Sequence, residues 1–191
     1  MGRIVLVTGG ARSGKSSFAE QLAQGAGASI AYIATAKALD AEMEDRIAQH
    51  RQQRPDTWQT FEAPTRPSAV IEAQGQECDA LLLDCLTVMI TNRMLDQGVD
   101  WDQPTVAQLH TVEADILAEI EAIVIAASTG RADLIAVTNE VGYGIVPLSP
   151  LARFFRDCAG RVNQRMARAA DQVYLVVSGL PMRIKGEERR S

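Results

Sequence analysis

Arg3-Ile4-Val5-Leu6-Val7-Thr8-Gly9-Gly10-Ala11-Arg12-Ser13-Gly14-Lys15-Ser16 joins an apolar, β-branched run to a glycine-bounded loop, and Ser17-Phe18-Ala19-Glu20-Gln21-Leu22-Ala23 after it suits a helix. The spacing from Gly9 to Gly14-Lys15-Ser16 satisfies G-x-x-x-x-G-K-[ST], in which each fixed position has a physical task. Gly9 and Gly14 permit backbone angles and close approaches that a Cβ would block, so successive N–H groups of the loop, through Gly10, Ala11, Arg12 and Ser13, can face a polyphosphate. Lys15 would reach the β- and γ-phosphates and the Ser16 hydroxyl would ligate Mg²⁺, while the helix that follows offers its N-terminus to the anion. The stretch predicts a nucleotide site.

Working outward, the 191 residues read as one domain, 1–191, long enough to bury a substantial core without staples. The net charge of -5 supplies no general attraction to nucleic acid or to an anionic membrane. Cys78, Cys85 and Cys158 stand far apart without a C-x-x-C pair, which argues against a zinc site or a disulfide framework; Cys85 and Cys158 are expected in the core. The N-terminus runs into Gly9-Gly10 before a leader's apolar region can form, and no apolar run approaches a membrane span, so a soluble, cytoplasmic protein is expected.

Strand and helix patterns alternate along the rest of the chain. Ser29–Thr35 predicts a second strand; Asp40 would cap a helix running to about Arg54, with Met43, Ile47 and His50 on one face and Pro55 as its stop. Trp58–Glu62 has the alternation of a short strand, and Pro67–Gly75 suits a short helix. Ala80-Leu81-Leu82-Leu83-Asp84 is continuously apolar and ends in an acid, the pattern of a strand buried on both faces whose tip enters a site, so Asp84 is placed for Mg²⁺, directly or through water. A plain strand-ending Asp that caps the next helix has the same pattern. Helix follows through Met94, then a polar break over Gly98–Pro104.

Leu109, Val112, Ile116, Leu117, Ile120, Ile123 and Val124 keep a helical period within 105–128, with His110 off the stripe. Asp133–Thr138 predicts another buried strand opening into Asn139-Glu140-Val141-Gly142-Tyr143-Gly144, either a site loop or a plain turn. Leu151–Ala170 predicts a helix carrying Arg153, Arg156, Arg161, Arg165 and Arg168; Asp171–Val177 gives the last main strand, and the charged tail from Lys185 to Ser191 is expected to be loose at its end. The fold class is therefore α/β, a mostly parallel sheet flanked by helices in the manner of P-loop NTPases of the RecA-like kind, with ligands at the carboxyl ends of the strands. That gathers Gly9–Ser16, Thr35, Asp84 and Asn139-Glu140 around one crevice.

These motifs resemble one family closely, the bifunctional adenosylcobinamide kinases and adenosylcobinamide-phosphate guanylyltransferases of cobalamin synthesis. The resemblance runs through Leu6–Ser16, Tyr32–Thr35, Arg46-Ile47 to His50 and Arg54-Pro55, Leu82–Thr87, Val137–Gly142 to Val146-Pro147, Phe155-Arg156-Asp157 to Gly160–Gln164, and Val176–Gly179. It implies phosphorylation of the aminopropanol hydroxyl of adenosylcobinamide by ATP or GTP. GMP would then pass from GTP to that phosphate through a guanylylated histidine, with His50 as nucleophile. Some relatives carry two adjacent histidines where this chain has Gln49-His50, which leaves one candidate. Guanosine contacts are implied for Thr35 and its neighbours, for Arg51 to Arg54, and for Glu62. Asp84 stands at an acidic position that relatives may fill with Glu, and a homotrimer is implied.

Beside this, a lone histidine on the Met43–Ile47 face is ordinarily a packed core-edge residue, and the arginine-rich helix is ordinarily a salt-bridged, solvated face; one of its arginines touching a triphosphate across a subunit interface is the alternative. Arg46 and Arg51 flank His50 and would neutralise an α-phosphate. Two rivals to the bifunctional reading are a small-molecule kinase without guanylyl transfer and a non-enzymatic nucleotide-dependent assembly module. The acidic charge and the absence of a basic, aromatic-interleaved strip speak against a nucleic-acid partner for the latter.

Overall fold

The computed structural model describes residues 1–37, 55 and 57–187. Seven strands, β1 (Ile4–Gly9), β2 (Ile30–Ala34), β3 (Gln59–Glu62), β4 (Ala80–Asp84), β5 (Asp133–Val137), β6 (Gln172–Val177) and β7 (Leu180–Lys185), form one sheet in the order β3-β2-β4-β5-β1-β6-β7. All neighbours pair in parallel except β6 and β7. The helices are α1 (Lys15–Ala26), α2 (Pro67–Gln74), α3 (Leu86–Asp96), α4 (Val106–Thr129) and α5 (Pro150–Ala169). The helix expected from Asp40 to Arg54, with His50, lies outside the described residues.

Alternate residues of the central strands divide between two cores, as the two-residue period of a strand requires. Val5, Val7, Tyr32, Leu82, Ile135 and Val137 face Ala19 and Ala23 of α1, whose small side chains let the helix that follows the phosphate loop lie close on the sheet. Leu6, Ile33, Leu81, Leu83, Leu134 and Ala136 face the larger core beneath α2, α3, α4 and α5. Both faces of the inner strands are thus covered, which is why those strands read as unbroken apolar runs. On α4 the expected stripe divides into fully buried Val112, Ile116, Ile120 and Ile123 and partly buried Leu109, Leu117 and Val124; His110 is exposed. Thr105 and Gln108 start that helix with a capping box. All three cysteines are buried; the Cys158 thiol, taken out of water with Glu113 nearby, is pushed up to about 12.

The C-terminal hairpin is the one element of the sheet that the sequence reading does not place. Val177 and Leu180 pair across Ser178 and Gly179, both at positive φ (52° and 81°), the geometry of a two-residue primed turn that matches strand twist. β7 then runs antiparallel along β6 with alternating Pro181, Arg183 and Lys185, residues that blunt an edge strand. Lys185, the first residue of the charged tail, ends β7 and donates from Nζ to the carbonyls of Ala167 and Arg168, closing the C-terminus of α5, while the end of that tail, 188–191, lies outside the described residues.

Candidate active site

The site grows from the carboxyl ends of β1, β4 and β5. After β1 the chain turns at Gly10, whose carbonyl accepts from the Ser13 amide, passes through Arg12 at φ 56° and Gly14 at φ 91°, and enters α1. Position 9 has no room for a side chain: a Cβ there would fall 2.5 Å from the Val176 carbonyl oxygen and 2.6 Å from Ser13 Oγ. Gly14 combines its left-handed φ with a Cβ position 3.1 Å from Gly179 Cα, so the loop has a hard outer limit at the hairpin tip. The Gly179 amide donates to the Ser13 carbonyl at 2.8 Å and braces the loop there.

Inside this turn, Lys15 is 9% exposed and its Nζ donates to the Gly10 carbonyl at 3.1 Å, arching the ammonium back over the loop. Ser16 is half-buried on the first turn of α1. α1 begins without a side-chain cap and without an acid in its first turn, as α2, α3 and α5 do. Open N–H groups and the positive end of the helix dipole meet there with a lysine. Ser13 Oγ and Thr8 Oγ1 are buried with no hydrogen-bond partner among the described residues. A polyphosphate bound in the loop would supply the missing acceptor oxygens, so the residues present fit that ligand.

Asp84 ends β4, in register with Val137 and, through β5, with Val7 of β1. β4 and β1 are thus two strand spacings apart, about 10 Å, with Asp84 and the phosphate loop at the same end of the sheet. It is half-buried, and the Tyr32 hydroxyl of β2 donates to its Oδ2 at 3.0 Å, which fixes its orientation. One carboxylate and one hydroxyl beside a polyphosphate is the sparse donor set that Mg²⁺ accepts, since it keeps waters and phosphate oxygens as its other ligands.

Between Asp84 and the loop lies a chain of hydrogen bonds that the sequence reading does not foresee. Thr138 Oγ1 donates to Asn163 Oδ1 at 2.7 Å, Asn163 Nδ2 to the Asn139 carbonyl at 3.1 Å, and Asn139 Nδ2 to Thr87 Oγ1 at 2.7 Å. Thr87 Oγ1 also lies 3.2 Å from Cys85 Sγ. The Glu140 amide, one residue on, donates to the Gly9 carbonyl, so β5, α3, α5 and the phosphate loop are tied at one point. The sequence reading gathers Asn139-Glu140 into the same crevice, but for Thr87 and Asn163 the one signal is that each sits in a separate stretch shared with the resembled family. Glu140 folds its Oε1 onto the Gly142 amide at 2.9 Å and closes the turn after β5.

On the other side of Asp84 stands Thr35, for which the resemblance implies a guanosine contact together with its neighbours. The residue is fully buried: Oγ1 donates to the Cys85 carbonyl and accepts from the Cys85 amide, each at 2.9 Å, and its own amide donates to the Asp84 carbonyl. Its hydroxyl locks the tips of β2 and β4 together. Glu62, exposed at the end of β3, stands two strands from Asp84 at the same end of the sheet. His50, Arg51 and Arg54 lie outside the described residues. Of the arginines on α5, Arg156 pairs with Asp157, Arg161 with Glu113 and Arg165 with Glu121, while Arg153 donates to the carbonyls of Pro147 and Leu148; these four serve local structure, as a salt-bridged face would.

Among the described residues no helix is long and apolar enough to cross a membrane. A parallel sheet with the phosphate loop after its first strand, and an acid at the tip of a strand one removed, is the P-loop NTPase architecture. Among solved structures, PH0250 from Pyrococcus horikoshii OT3 matches with a TM-score of 0.51 at 7% identity, over 98% of this chain and 88% of that chain, a likeness of fold alone. The bifunctional adenosylcobalamin biosynthesis protein CobU of Escherichia coli (strain K12) is 48% identical over 182 residues, 95% of this chain and 99% of the relative. Its namesake from Salmonella typhimurium is 47% identical, with the same coverage. The family described as cobinamide kinase / cobinamide phosphate guanyltransferase matches residues 5–184, and this chain belongs to it.

Proposed function

We propose that this protein phosphorylates the aminopropanol hydroxyl of adenosylcobinamide with ATP or GTP, and then transfers GMP from GTP to the new phosphate through His50, giving adenosylcobinamide-GDP and pyrophosphate. The observation that carries the reading is the uncapped, hairpin-braced loop with Lys15 folded over it, in a chain that its family matches over 5–184.

In the kinase step the acceptor oxygen bonds to the γ-phosphorus, the bond to the β,γ-bridging oxygen breaks, and the hydroxyl proton leaves to a base, for which Glu140 is the nominee. Lys15 and the loop amides of residues 9–16 hold the charge that develops on the phosphoryl oxygens, so catalysis is mainly positioning and electrostatics. Mg²⁺ held by Ser16 and Asp84 would neutralise phosphate charge. In the transfer step a neutral nitrogen of His50 bonds to the α-phosphorus of GTP and pyrophosphate departs; the imidazole proton is lost to solvent. An oxygen of adenosylcobinamide phosphate then bonds to that phosphorus, the P–N bond breaks, and the departing imidazole takes a proton back from solvent. Residues around Thr35, together with Arg51, Arg54 and Glu62, would surround the guanosine.

The partners are a corrinoid substrate and GTP or ATP, with no nucleic acid. The resemblance implies a homotrimer, and the exposed stripe Val177, Leu180, Met182 and Ile184 on the hairpin offers apolar surface for it.

The test is incubation with Mg²⁺ and GTP labelled at the α-phosphate, followed by a denaturing gel at neutral or alkaline pH, because a phosphoramidate is acid-labile. Label retained on the wild-type chain and absent from His50→Ala is the expected result. An unlabelled wild type that nevertheless binds GTP would leave a phosphate-loop kinase without guanylyl transfer.

A further inference from the structure

Residues 141–152, from Val141 to Ala152, carry no charged side chain, in a chain of which 23% is charged. The run leaves the carboxyl end of β5 and ends in the first turn of α5. Its large apolar side chains stand in solvent. Ile145 and Leu148 are each 96% exposed, the highest value of any large hydrophobic among the described residues, Tyr143 is 88% exposed and Val146 60%. Apolar residues scattered singly on a surface are ordinary, whereas four within 143–148 make a patch of the kind that binds something.

The backbone that carries them is tied at both ends. At its start the Glu140 amide donates to the Gly9 carbonyl at 3.0 Å, and the Gly142 amide to Glu140 Oε1 at 2.9 Å. At its finish Arg153 Nη1 donates to the carbonyls of Pro147, at 3.1 Å, and Leu148. Pro147 and Pro150 fix two further φ angles. A run held in this way presents its apolar side chains with little left to order on binding.

Its location selects the occupant. β5 lies directly beside β1, and the bond from residue 140 to residue 9 joins the root of the run to the phosphate loop. An acceptor phosphorylated there must bring one hydroxyl to the nucleotide and rest its remaining bulk on the surface around it. The bulk of a corrinoid is a broad macrocycle rimmed by methyl groups and uncharged carboxamides, which an uncharged apolar surface matches; a surface for phosphates or nucleic acid would need cations. The exposed stripe of the hairpin is different in kind, since Arg183 and Lys185 are interleaved with it.

We propose that residues 143–148 are the seat of the corrin ring: Tyr143, Ile145, Val146 and Leu148 pack against the macrocycle while its aminopropanol arm reaches the nucleotide in the loop of residues 9–16. This rests on the function proposed above and adds where the acceptor binds.

The experiment uses the full chain as wild type, as the double variant Ile145→Ser with Leu148→Ser, and as Tyr143→Ser, which is read alone if the double variant melts early. Binding of adenosylcobinamide is followed by equilibrium dialysis from the corrinoid's own absorption, the kinase half-reaction by steady-state kinetics, and the oligomeric state by sedimentation velocity. The expected result is a Kd and a KM for adenosylcobinamide raised about 10-fold or more in the double variant and less in Tyr143→Ser, with the KM for ATP within about 2-fold of wild type and the oligomeric state unchanged. An unchanged corrinoid Kd would overturn the proposal, as would a rise in the nucleotide KM alone. Dissociation of an oligomer in the variants would overturn it too, by assigning the run to a contact between copies of the chain. A wild type that binds nucleotide yet neither binds nor phosphorylates adenosylcobinamide would remove the proposed function itself, and the seat with it.

Discussion

The two ends of the sheet are built on opposite terms. At the amino end the strands are stitched by carboxylates: Asp133 takes the guanidinium and amide of Arg3, Asp171 takes the Ile4 amide at 2.8 Å, and Asp79 takes the amides of Ala28 and Ser29 at 3.0 Å. At the carboxyl end α1 starts uncapped, Thr8 and Ser13 keep buried hydroxyls without partners among the described residues, and Arg12 and Gly14 hold positive φ. Buried polar groups left unmatched beside a phosphate loop mark a place where something else can complete them. The amino end secures the fold and the carboxyl end awaits a ligand.

The largest break in that contrast comes from Lys15→Ala. Turnover should fall about 100- to 1000-fold, the usual loss for a group that stabilises charge in the transition state, while the melting temperature moves little. Steady-state kinetics beside a thermal melt read both. Next, Asn163→Ala should lower kcat several-fold to about 10-fold with nucleotide KM nearly unchanged, because it frees the Asn139 carbonyl and the Thr138 hydroxyl without touching the loop. A change confined to stability would assign that network to the fold instead.

At the opposite end, Asp133→Ala should cost about 1–2 kcal/mol in denaturant unfolding, since the pairing with Arg3 is partly solvent-screened, and leave both half-reactions intact. The smallest effect is set by pH. The Ser29 and Ala28 amides hold the Asp79 carboxyl below the usual carboxylate range, the Ser29 bond being the larger cause. Stability from this group is therefore present at neutral pH and lost as pH falls through the depressed value. Melting temperatures of wild type and Asp79→Asn should differ at pH 7 and converge below about pH 4.

Most of the amino-end and central architecture was legible in the sequence because one-dimensional periodicity reports it. Ala80–Leu83 and Leu134–Val137 are unbroken apolar runs because both faces are buried, and the phosphate loop carries its own spacing. What stayed hidden depends on contacts between distant positions. Nothing in the neighbourhood of Asn92 announces that its amide meets Thr35 and Pro64, and nothing near Tyr32 announces Asp84. Thr35 was placed at the right rim, but its hydroxyl is engaged by Cys85, a bond that only the pairing of β2 with β4 creates. The hairpin had a local cue in Ser178-Gly179 between apolar runs, and a turn reading of that dipeptide would have found β7.

The brace from Gly179 to Ser13 also sets an order of events during synthesis. β1 leaves the ribosome first, yet it is flanked by β5 and β6, and its loop is propped by a turn near residue 179. The earliest chemistry-bearing segment is thus the last to gain its full support, and long-range closure of this kind is slow. A nascent chain that ends before the hairpin would hold the complete G-x-x-x-x-G-K-S signature and still lack the wall against which it closes on a phosphate.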